Sequence, residues 1–310
     1  MKVFGTAAAK IILFGEHAVV YGHPAIAVPV STIRAAASVD LSHPSHSTRL
    51  QVFAQDVDRW VSLDESQEDG LSASIRRAIS LLGFEPSGMA AAIHSDIPLA
   101  SGLGSGAALT AALVRAVTLA NSQYMSNETL NAIVYETERI HHGTPSGIDN
   151  TVIVYEKPIY FRRGHDLEPI RSAAPLMLLI GDTGISAPTK ESVADVRRLY
   201  EDHPLEIESV LNQIGQIAEM SRALIESGDL LQLGRNMTDN HHLLQELTVS
   251  SHSLDRLVNA ALAAGALGAK LSGGGRGGNM IALVEPTTKR AVSDSLLDAG
   301  AVRVIQTTVT

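Results

Sequence analysis

The chain has 310 residues, carries a formal net charge of −9 at pH 7, and is 45% apolar. This length allows two compact domains or one large α/β domain, and the apolar fraction is sufficient for a core. The acidic balance, without a cluster of Lys and Arg, argues against a general nucleic-acid-binding protein. The lack of cysteine excludes disulfides and thiolate metal sites and fits a cytoplasmic location. The longest apolar tract, residues 107–120, is shorter than the roughly 20 residues of a membrane span, so we expect no membrane partner.

The first hundred residues are predicted to consist mainly of strands. Apolar runs predict two short strands within residues 2–30, joined by a turn, and a third strand over residues 33–41. Residues 50–53 are expected to form an edge strand, and helical spacing of apolar residues predicts a helix over residues 71–82. Another strand is predicted over residues 89–94, where it leads into a glycine-rich loop.

The rest of the chain alternates helices and strands irregularly. Apolar residues at three- and four-residue steps predict an amphipathic helix over residues 127–141, and a strand is expected over residues 151–155. The later predicted elements are a strand over 177–180, two helices before residue 228, helices over 230–246 and 254–264, and a strand over 279–284. With no internal repeat, this order favours two domains, residues 1–170 and 171–310, in close contact with a cleft between them.

The glycine-rich loop is the most informative segment of the sequence. It runs Pro98-Leu99-Ala100-Ser101-Gly102-Leu103-Gly104-Ser105-Gly106-Ala107-Ala108 and continues into an alanine-rich helical segment. Glycines let the backbone approach a phosphate, and the free N–H groups of the first helical turn bind it, so the loop is a predicted anion site. Neither the GxxxxGK[ST] nor the GxGxxG pattern is present, which indicates a different nucleotide-binding family. Ser105 could offer its hydroxyl to magnesium or phosphate, or be an ordinary helix N-cap.

Three other positions could carry chemistry. Lys10 stands before an apolar strand that is followed by Gly-Glu-His, although a surface lysine beside a turn is the simpler alternative. Glu138 and Asp149 lie on either side of a tight turn and could converge as a magnesium ligand and a base. The alternative is a solvated helix Glu and an Asp that caps the next element. A second glycine-rich loop, residues 273–278 around Arg276, is either an anion contact or a plain tight connection.

Together, four segments resemble the motifs of the GHMP family of small-molecule kinases, in family order. They are residues 10–22, 98–108, 138–150 and 270–278. The Gly-Glu-His and Pro-Ser-Gly-Ile-Asp-Asn sequences are most similar to those of family members that phosphorylate mevalonate. The resemblance implies an α+β fold of two domains, the first like the second domain of ribosomal protein S5 and the second ferredoxin-like. ATP and mevalonate would meet in the cleft.

The resemblance also implies the activity and its residues. The reaction would be the transfer of a phosphoryl group from ATP, with Mg²⁺, to the 5-hydroxyl of mevalonate in isoprenoid biosynthesis. Asp149 would orient or take the hydroxyl proton, Lys10 would stabilise the developing charge, and Glu138 and Ser105 would hold magnesium. The implied nucleotide-binding residues are Pro98, Ser101, Gly102, Leu103, Gly104, Ser105, Gly106, Ala107 and Ala108. The implied substrate-binding residues are Lys10, Glu16, His17, Asp149, Thr183, Ser272 and Gly273.

The sequence departs from the family pattern at two places, which leaves alternatives open. Gly106 stands where the family usually has a second Ser, so we expect Ser105 or water to take its role. Arg276 interrupts a run of small residues, with Asn279 where Cys is common, and we expect Arg276 to contact a phosphate or the substrate. The alternatives are a sister GHMP kinase acting on phosphomevalonate or another alcohol, and a non-catalytic nucleotide or metabolite sensor. Relatives suggest a homodimer.

Overall fold

A computed structural model describes residues 1–42, 47, 49–63, 69–98, 101–142, 145–166, 168–186 and 189–310. Side chains of residues 141 and 142 are outside this description. The described residues form two compact units. Unit 1 takes those within 1–9, 33–98 and 104–156, and unit 2 takes those within 10–32, 99–103 and 157–310. Each unit consists of several separate stretches of the chain. The single domain boundary expected near residue 170 stays a prediction.

Two long strands each contribute residues to both units. They are β1 (Lys2–Phe14) and β2 (Ala25–Asp40), which pair with each other, and a short 3-10 turn (Ala18–Tyr21) lies between them. The expectation of separate second and third strands is wrong, since β2 is continuous. Ser31 and Thr32, which lie between the predicted second and third strands, are exposed residues of this continuous strand.

Unit 1 holds three further strands beside β2. β5 (Ala90–Ser95) pairs antiparallel with residues 35–39 of β2 and parallel with β3 (Gln51–Ala54). β4 (Arg59–Val61) pairs with the other edge of β3. The strand predicted over residues 50–53 is β3, and it lies inside the sheet rather than at its edge, because β4, which the sequence analysis missed, pairs with it. The strand predicted before the glycine-rich loop is confirmed as β5.

The helices of unit 1 are α1 (Gly70–Ser80), α2 (Ser105–Ala120), α3 (Asn127–His142) and α4 (Ile148–Tyr155). Small residues let α2 approach β1 closely: a Cβ added to Gly5 would lie 2.2 Å from the carbonyl oxygen of Ala112. The prediction of a strand over residues 151–155 is wrong, because α4 covers them. Residues 150–154 are all buried, and a short run that is apolar on every side does not distinguish a buried strand from a buried helix.

Unit 2 contains a four-stranded antiparallel sheet in the order β11-β8-β10-β9. Its strands are β8 (Leu176–Asp182), β9 (Gly268–Ser272), β10 (Asn279–Leu283) and β11 (Arg303–Val309). Helices α5 (Thr189–Asp202), α6 (Pro204–Ser227), α7 (Leu230–Glu246) and α8 (His252–Ala263) precede β9, and α9 (Lys289–Asp298) precedes β11. This βαββαβ order, with α8 and α9 as the two helices, is the expected ferredoxin-like pattern.

Two short strands complete the described elements of unit 2. β6 (Ile159–Phe161) pairs with residues 25–27 of β2, and β7 (Glu168–Pro169) pairs with β6. Across the described ranges, no helix is both long and apolar enough to cross a membrane.

Candidate active site

The glycine-rich loop ends at the start of α2. Gly104 is the residue before the helix, with φ 77°, and Gly102 has φ 78°, a left-handed conformation that glycine adopts at little cost. Ser105 is the first helical residue, so the alternative that Ser105 is the N-cap is wrong. Because the first N–H groups of a helix have no partner within it, this turn can present them to an anion. Pro98 and Ser101 lie in the described structure, whereas Leu99 and Ala100 lie outside the described residues.

Helix α3 places the carboxylate of Glu138 against the start of α2. Glu138 is only 5% exposed. A Cβ added to Gly106 would lie 3.7 Å from Oε1 of Glu138, and no other described atom beyond the two neighbouring residues and the backbone of α2 lies within 4 Å of it. Carboxylate and hydroxyl oxygens are the ligands that Mg²⁺ prefers, and Mg²⁺ in kinases commonly takes one or two carboxylates plus phosphate oxygens. Glu138 beside this helix start fits that chemistry, and no cluster of three metal-binding side chains occurs among the described residues.

Asp149 lies in the first turn of α4. The residue before the helix is Gly147, with φ 93°, so the alternative of Asp149 as a cap is wrong. The side chain of Asn150 donates to the side-chain oxygen of Asn131 on α3, with the two atoms 2.7 Å apart. This bond fixes the start of α4 to the helix that also carries Glu138. Gly143 and Thr144, part of the predicted turn, lie outside the described residues.

Lys10 lies in the buried part of β1, next to the glycine-rich loop. Its backbone N–H donates to the carbonyl oxygen of Leu103, with nitrogen and oxygen 3.1 Å apart. The side chain is 3% exposed. Ser101, two residues before Leu103, accepts a hydrogen bond at its carbonyl from the side chain of Asn279, at 2.5 Å. β1 and β10 therefore both hold the first half of the loop by its backbone.

A buried ion pair joins Glu16 to Lys270. Glu16 is 1% exposed and Lys270 is fully buried. The ammonium of Lys270 donates to Oε1 of Glu16 and also to the carbonyl oxygen of Leu271, at 2.7 Å. Burial raises the pKa of Glu16, while the positive charges of Lys270 and Lys10 lower it. Oε2 of Glu16 is buried and has no partner among the described residues.

His17, the next residue, is buried and has φ 60°. Its Nε2 lies 3.1 Å from the carbonyl oxygen of Gly274. Because a carbonyl only accepts, the ring proton is on Nε2, and Nδ1 is an acceptor that is buried without a partner in the described part of the chain. Burial lowers the pKa of His17 to about 4, helped by the charges of Arg276 and Lys270 and opposed by the bond to Gly274. His17 is therefore neutral at pH 7.

The hydroxyls of Ser272 and Thr183 are used to hold the second glycine-rich loop. Ser272 donates to the carbonyl oxygen of Ile12 at 2.7 Å, and Thr183 donates to that of Gly278 at 2.9 Å. The Thr183 oxygen also accepts from the backbone N–H of Ile185 at 3.2 Å, and each of the two hydroxyl oxygens still has a lone pair that can accept from a ligand. A Cβ added to Gly273, where φ is 86°, would meet no described atom within 4 Å apart from those of its two neighbours in the chain. The loop therefore has open space at this position.

Arg276, in the second glycine-rich loop, has partners for both its side chain and its backbone N–H. Its guanidinium forms an ion pair with Asp195 on α5, and its backbone N–H donates to the carbonyl oxygen of Val249 at 2.7 Å. Its φ of 62° is uncommon for a residue other than glycine. The expected phosphate or substrate contact of Arg276 stays a prediction, and the structure adds the Asp195 partner that sequence analysis missed.

Comparison with known proteins identifies the family. The model of the GHMP kinases N terminal domain matches residues 73–157, and that of the GHMP kinases C terminal matches residues 221–302. The chain is 36% identical to the mevalonate kinase of Pyrococcus furiosus, over 98% of this chain and 96% of that protein. The chain belongs to the mevalonate kinase family of GHMP kinases.

Solved structures confirm the predicted two-domain GHMP kinase fold. The structure of L. major mevalonate kinase in complex with R-mevalonate matches with a TM-score of 0.85 and 29% identity, covering all of this chain and 96% of that one. A Streptococcus pneumoniae phosphomevalonate kinase matches with a TM-score of 0.81 at 16% identity, covering 98% of this chain and 99% of that one, which shows the shared fold alone.

Proposed function

We propose that the chain transfers the γ-phosphoryl group of ATP to the 5-hydroxyl of (R)-mevalonate, giving 5-phosphomevalonate and ADP in isoprenoid biosynthesis. Its similarity to mevalonate kinases supports the substrate. The observation that carries the kinase chemistry is the buried Glu138 carboxylate beside exposed Gly106 at the start of α2. That arrangement offers an anion site and a metal ligand side by side.

The glycine-rich loop and Glu138 are proposed to hold the phosphates and Mg²⁺. N–H groups at the start of α2 would bind phosphate oxygens, and Gly102 and Gly104 would let the backbone come close to them. The carboxylate of Glu138 and the hydroxyl of Ser105 would be the protein ligands of Mg²⁺. When bound, Mg²⁺ neutralises phosphate charge during transfer. Because position 106 has no side chain, Ser105 or water would supply the ligand that the family takes from Ser there.

Asp149 and Lys10 are proposed to act on the hydroxyl that receives the phosphoryl group. Asp149 would orient the hydroxyl and accept its proton, and Lys10 would stabilise the negative charge that develops on its oxygen. Phosphoryl transfer has a loose transition state, so alignment and charge neutralisation contribute more than the strength of the base. The first turn of α4, bonded to α3 through Asn150, is a rigid support for Asp149.

Mevalonate is proposed to bind against Glu16 and His17, with Thr183, Ser272 and Gly273 around it. Glu16 Oε2 and His17 Nδ1 are two buried acceptors without partners among the described residues. A buried acceptor is costly to leave unsatisfied, so a ligand with hydroxyl donors fits this position. Because Asp149 and Lys10 are proposed to act on the 5-hydroxyl of mevalonate, its 3-hydroxyl is the donor proposed for these acceptors.

An assay of ADP release tests the proposal. Wild-type chain is incubated with ATP, Mg²⁺ and a panel of alcohols that includes mevalonate and phosphomevalonate. We expect ADP with mevalonate, and a loss of kcat of about 10²- to 10⁴-fold in Asp149→Asn with ATP binding retained. The control variant Asp166→Asn, at an exposed position, keeps wild-type turnover.

The other outcomes distinguish the alternatives. ADP release with phosphomevalonate but not with mevalonate would assign the chain to a sister kinase activity. ATP binding without turnover of any alcohol would favour a sensor. Homodimer formation and a cytoplasmic location stay predictions, which sedimentation and cell fractionation would test.

A further inference from the structure

A line of buried polar groups extends behind the candidate substrate residues. It begins at Glu16, whose Oε1 is held by Lys270 on β9. The next residue on the strand, Leu271, donates its backbone N–H to Nδ1 of His241, at 3.2 Å. Nε2 of His241 lies 3.1 Å from Oδ1 of Asp255 on α8. One strand, β9, and two helices, α7 and α8, thus connect Glu16 to Asp255, whose side chain is 33% exposed.

The hydrogen-bond roles along this line follow from chemistry. A backbone N–H only donates, so Nδ1 of His241 carries no proton, and the ring proton on Nε2 is donated to Asp255. Burial lowers the pKa of His241 to about 4; the carboxylate of Asp255 opposes this, and the charge of Lys270 adds to it. Asp255 is held in turn by Gln245, at 2.9 Å, and by Ser250, at 2.5 Å. His241 is therefore a neutral acceptor in one fixed orientation at pH 7.

The packing of α7 explains why a helix side chain can reach a strand N–H. β9 is an edge strand of its sheet, so backbone groups on its outer side lack a strand partner. A Cβ added to Gly268 would lie 1.8 Å from the carbonyl oxygen of Gly234, which shows that the backbones of β9 and α7 are in direct contact. His241, further along α7, satisfies the N–H of Leu271 and fixes β9 at the residue that follows Lys270.

Stability does not explain the Glu16–Lys270 pair. Both charges are withdrawn from water, and a buried ion pair is often no more stabilising than two apolar side chains of the same volume. The pair also leaves Oε2 of Glu16 unsatisfied within the described structure. A function that needs the carboxylate of Glu16 accounts both for the burial of the ion pair and for the unsatisfied Oε2.

We propose that Lys270 is a positioning residue for the substrate: it holds Glu16 as a carboxylate by its Oε1, so that Oε2 accepts a hydrogen bond from a substrate hydroxyl. His241 and Asp255 fix the strand from which Lys270 acts. The inference rests on the proposed function, because it assigns a supporting role at the same substrate site.

The charged and titratable groups around the pair determine what its removal does. Glu16 faces Lys270 on β9 and Lys10 on β1, and its neighbour His17 is neutral. Lys270 faces Glu16 and the neutral His241. Removing Lys270 leaves burial opposed only by a backbone hydrogen bond and by the charge of Lys10, so we expect the pKa of Glu16 to rise further and its protonated fraction to increase. Activity that needs the carboxylate then increases as the pH is raised.

Steady-state kinetics of Lys270→Met, Glu16→Gln and the double variant, between pH 6 and 9, test the proposal. The control is Lys190→Met on an exposed face of α5. At pH 7 we expect Lys270→Met to raise KM for mevalonate at least tenfold with KM for ATP within twofold of wild type. Its kcat/KM for mevalonate should recover as the pH rises, whereas that of Glu16→Gln should show no such recovery.

The double variant keeps the test decisive if Lys270→Met does not fold, because its buried pair is neutral. The proposal expects its KM for mevalonate to equal that of Glu16→Gln within twofold, since Lys270 acts only through Glu16. Losses that multiply in the double variant, or equal rises of KM for ATP and mevalonate, would overturn the positioning role. Absence of mevalonate turnover in the wild type would instead contradict the proposed function.

Discussion

Arg276 offers a test in which stability and catalysis should separate. Its guanidinium side chain is 37% exposed and is paired with Asp195, which is 21% exposed. Such a partly exposed ion pair contributes about 0–1 kcal/mol to stability. Alanine keeps a Cβ, so Arg276→Ala leaves the left-handed backbone at this residue as it was. We therefore expect Arg276→Ala to lower the free energy of unfolding by less than about 1 kcal/mol.

The expected effect on ligand binding is larger. A hydrogen bond between charged groups contributes about 1.5–3 kcal/mol, which corresponds to roughly 10- to 150-fold in an equilibrium constant. Arg276 is close enough to His17, a candidate substrate-binding residue, for its positive charge to lower the pKa of His17 in addition to the effect of burial. If the guanidinium contacts a phosphate or the substrate, Arg276→Ala raises KM for ATP or mevalonate by this factor.

Thermal unfolding and steady-state kinetics of Arg276→Ala, with Asp195→Asn as the matched control, measure the two effects. The control removes the ion pair and keeps the guanidinium, so we expect its KM values to be unchanged or lower. Unchanged kinetics in Arg276→Ala would refute a ligand contact. Equal rises of KM in both variants would show that the ion pair, rather than the guanidinium alone, is what binding requires.

Three further predictions concern magnesium and pH. Gly106→Ser fits the open space beside Glu138. Because it replaces a helical glycine, we expect a stability gain of about 0.5 kcal/mol, and because its hydroxyl is a further ligand, we expect half-maximal activity at a lower Mg²⁺ concentration. A higher Mg²⁺ requirement would contradict the proposed metal site. Glu138→Gln should raise the Mg²⁺ requirement at least tenfold, and an unchanged Mg²⁺ titration would remove Glu138 from the metal site. The folded pKa values of His17 and His241, about 4 against 6.5, mean that the folded state binds fewer protons, so stability should fall from pH 6.5 towards 4 by at most about 3 kcal/mol for each histidine. The free energy of unfolding, measured with urea at several pH values in this range, should depend less steeply on pH in His241→Asn than in wild type. An equal pH dependence in the two proteins would contradict the lowered pKa of His241.

The sequence predicted elements best where one periodicity extends over several turns or one apolar run is bounded by turns. Helix α3, predicted over residues 127–141, is found at 127–142, and the strand before the first glycine-rich loop is found within one residue of its predicted start and end. α4 was missed because all its central residues are buried, which removes the periodicity of a half-exposed helix. β2 was predicted as two strands, although it continues through the exposed residues Ser31 and Thr32.

The candidate site was only partly accessible to sequence reasoning. Motifs identified the glycine-rich loops and the residues Glu16 and His17, because such spacing is specific for a family. Lys270 and His241 were not assigned, since their roles depend on contacts between residues 254 and 30 positions apart. A lysine inside the otherwise apolar strand Gly268–Ser272 was the signal that could have indicated a buried charge, and with it a buried partner.

Phosphorus NMR of the product formed from ATP and (R)-mevalonate tests the central claim most directly. The account predicts a new phosphate monoester at the primary 5-hydroxyl, whose phosphorus signal is split by the two protons on that carbon. A product phosphorylated at the tertiary 3-hydroxyl, whose carbon carries no proton, or the lack of any new ester in the presence of ATP and Mg²⁺, would contradict it.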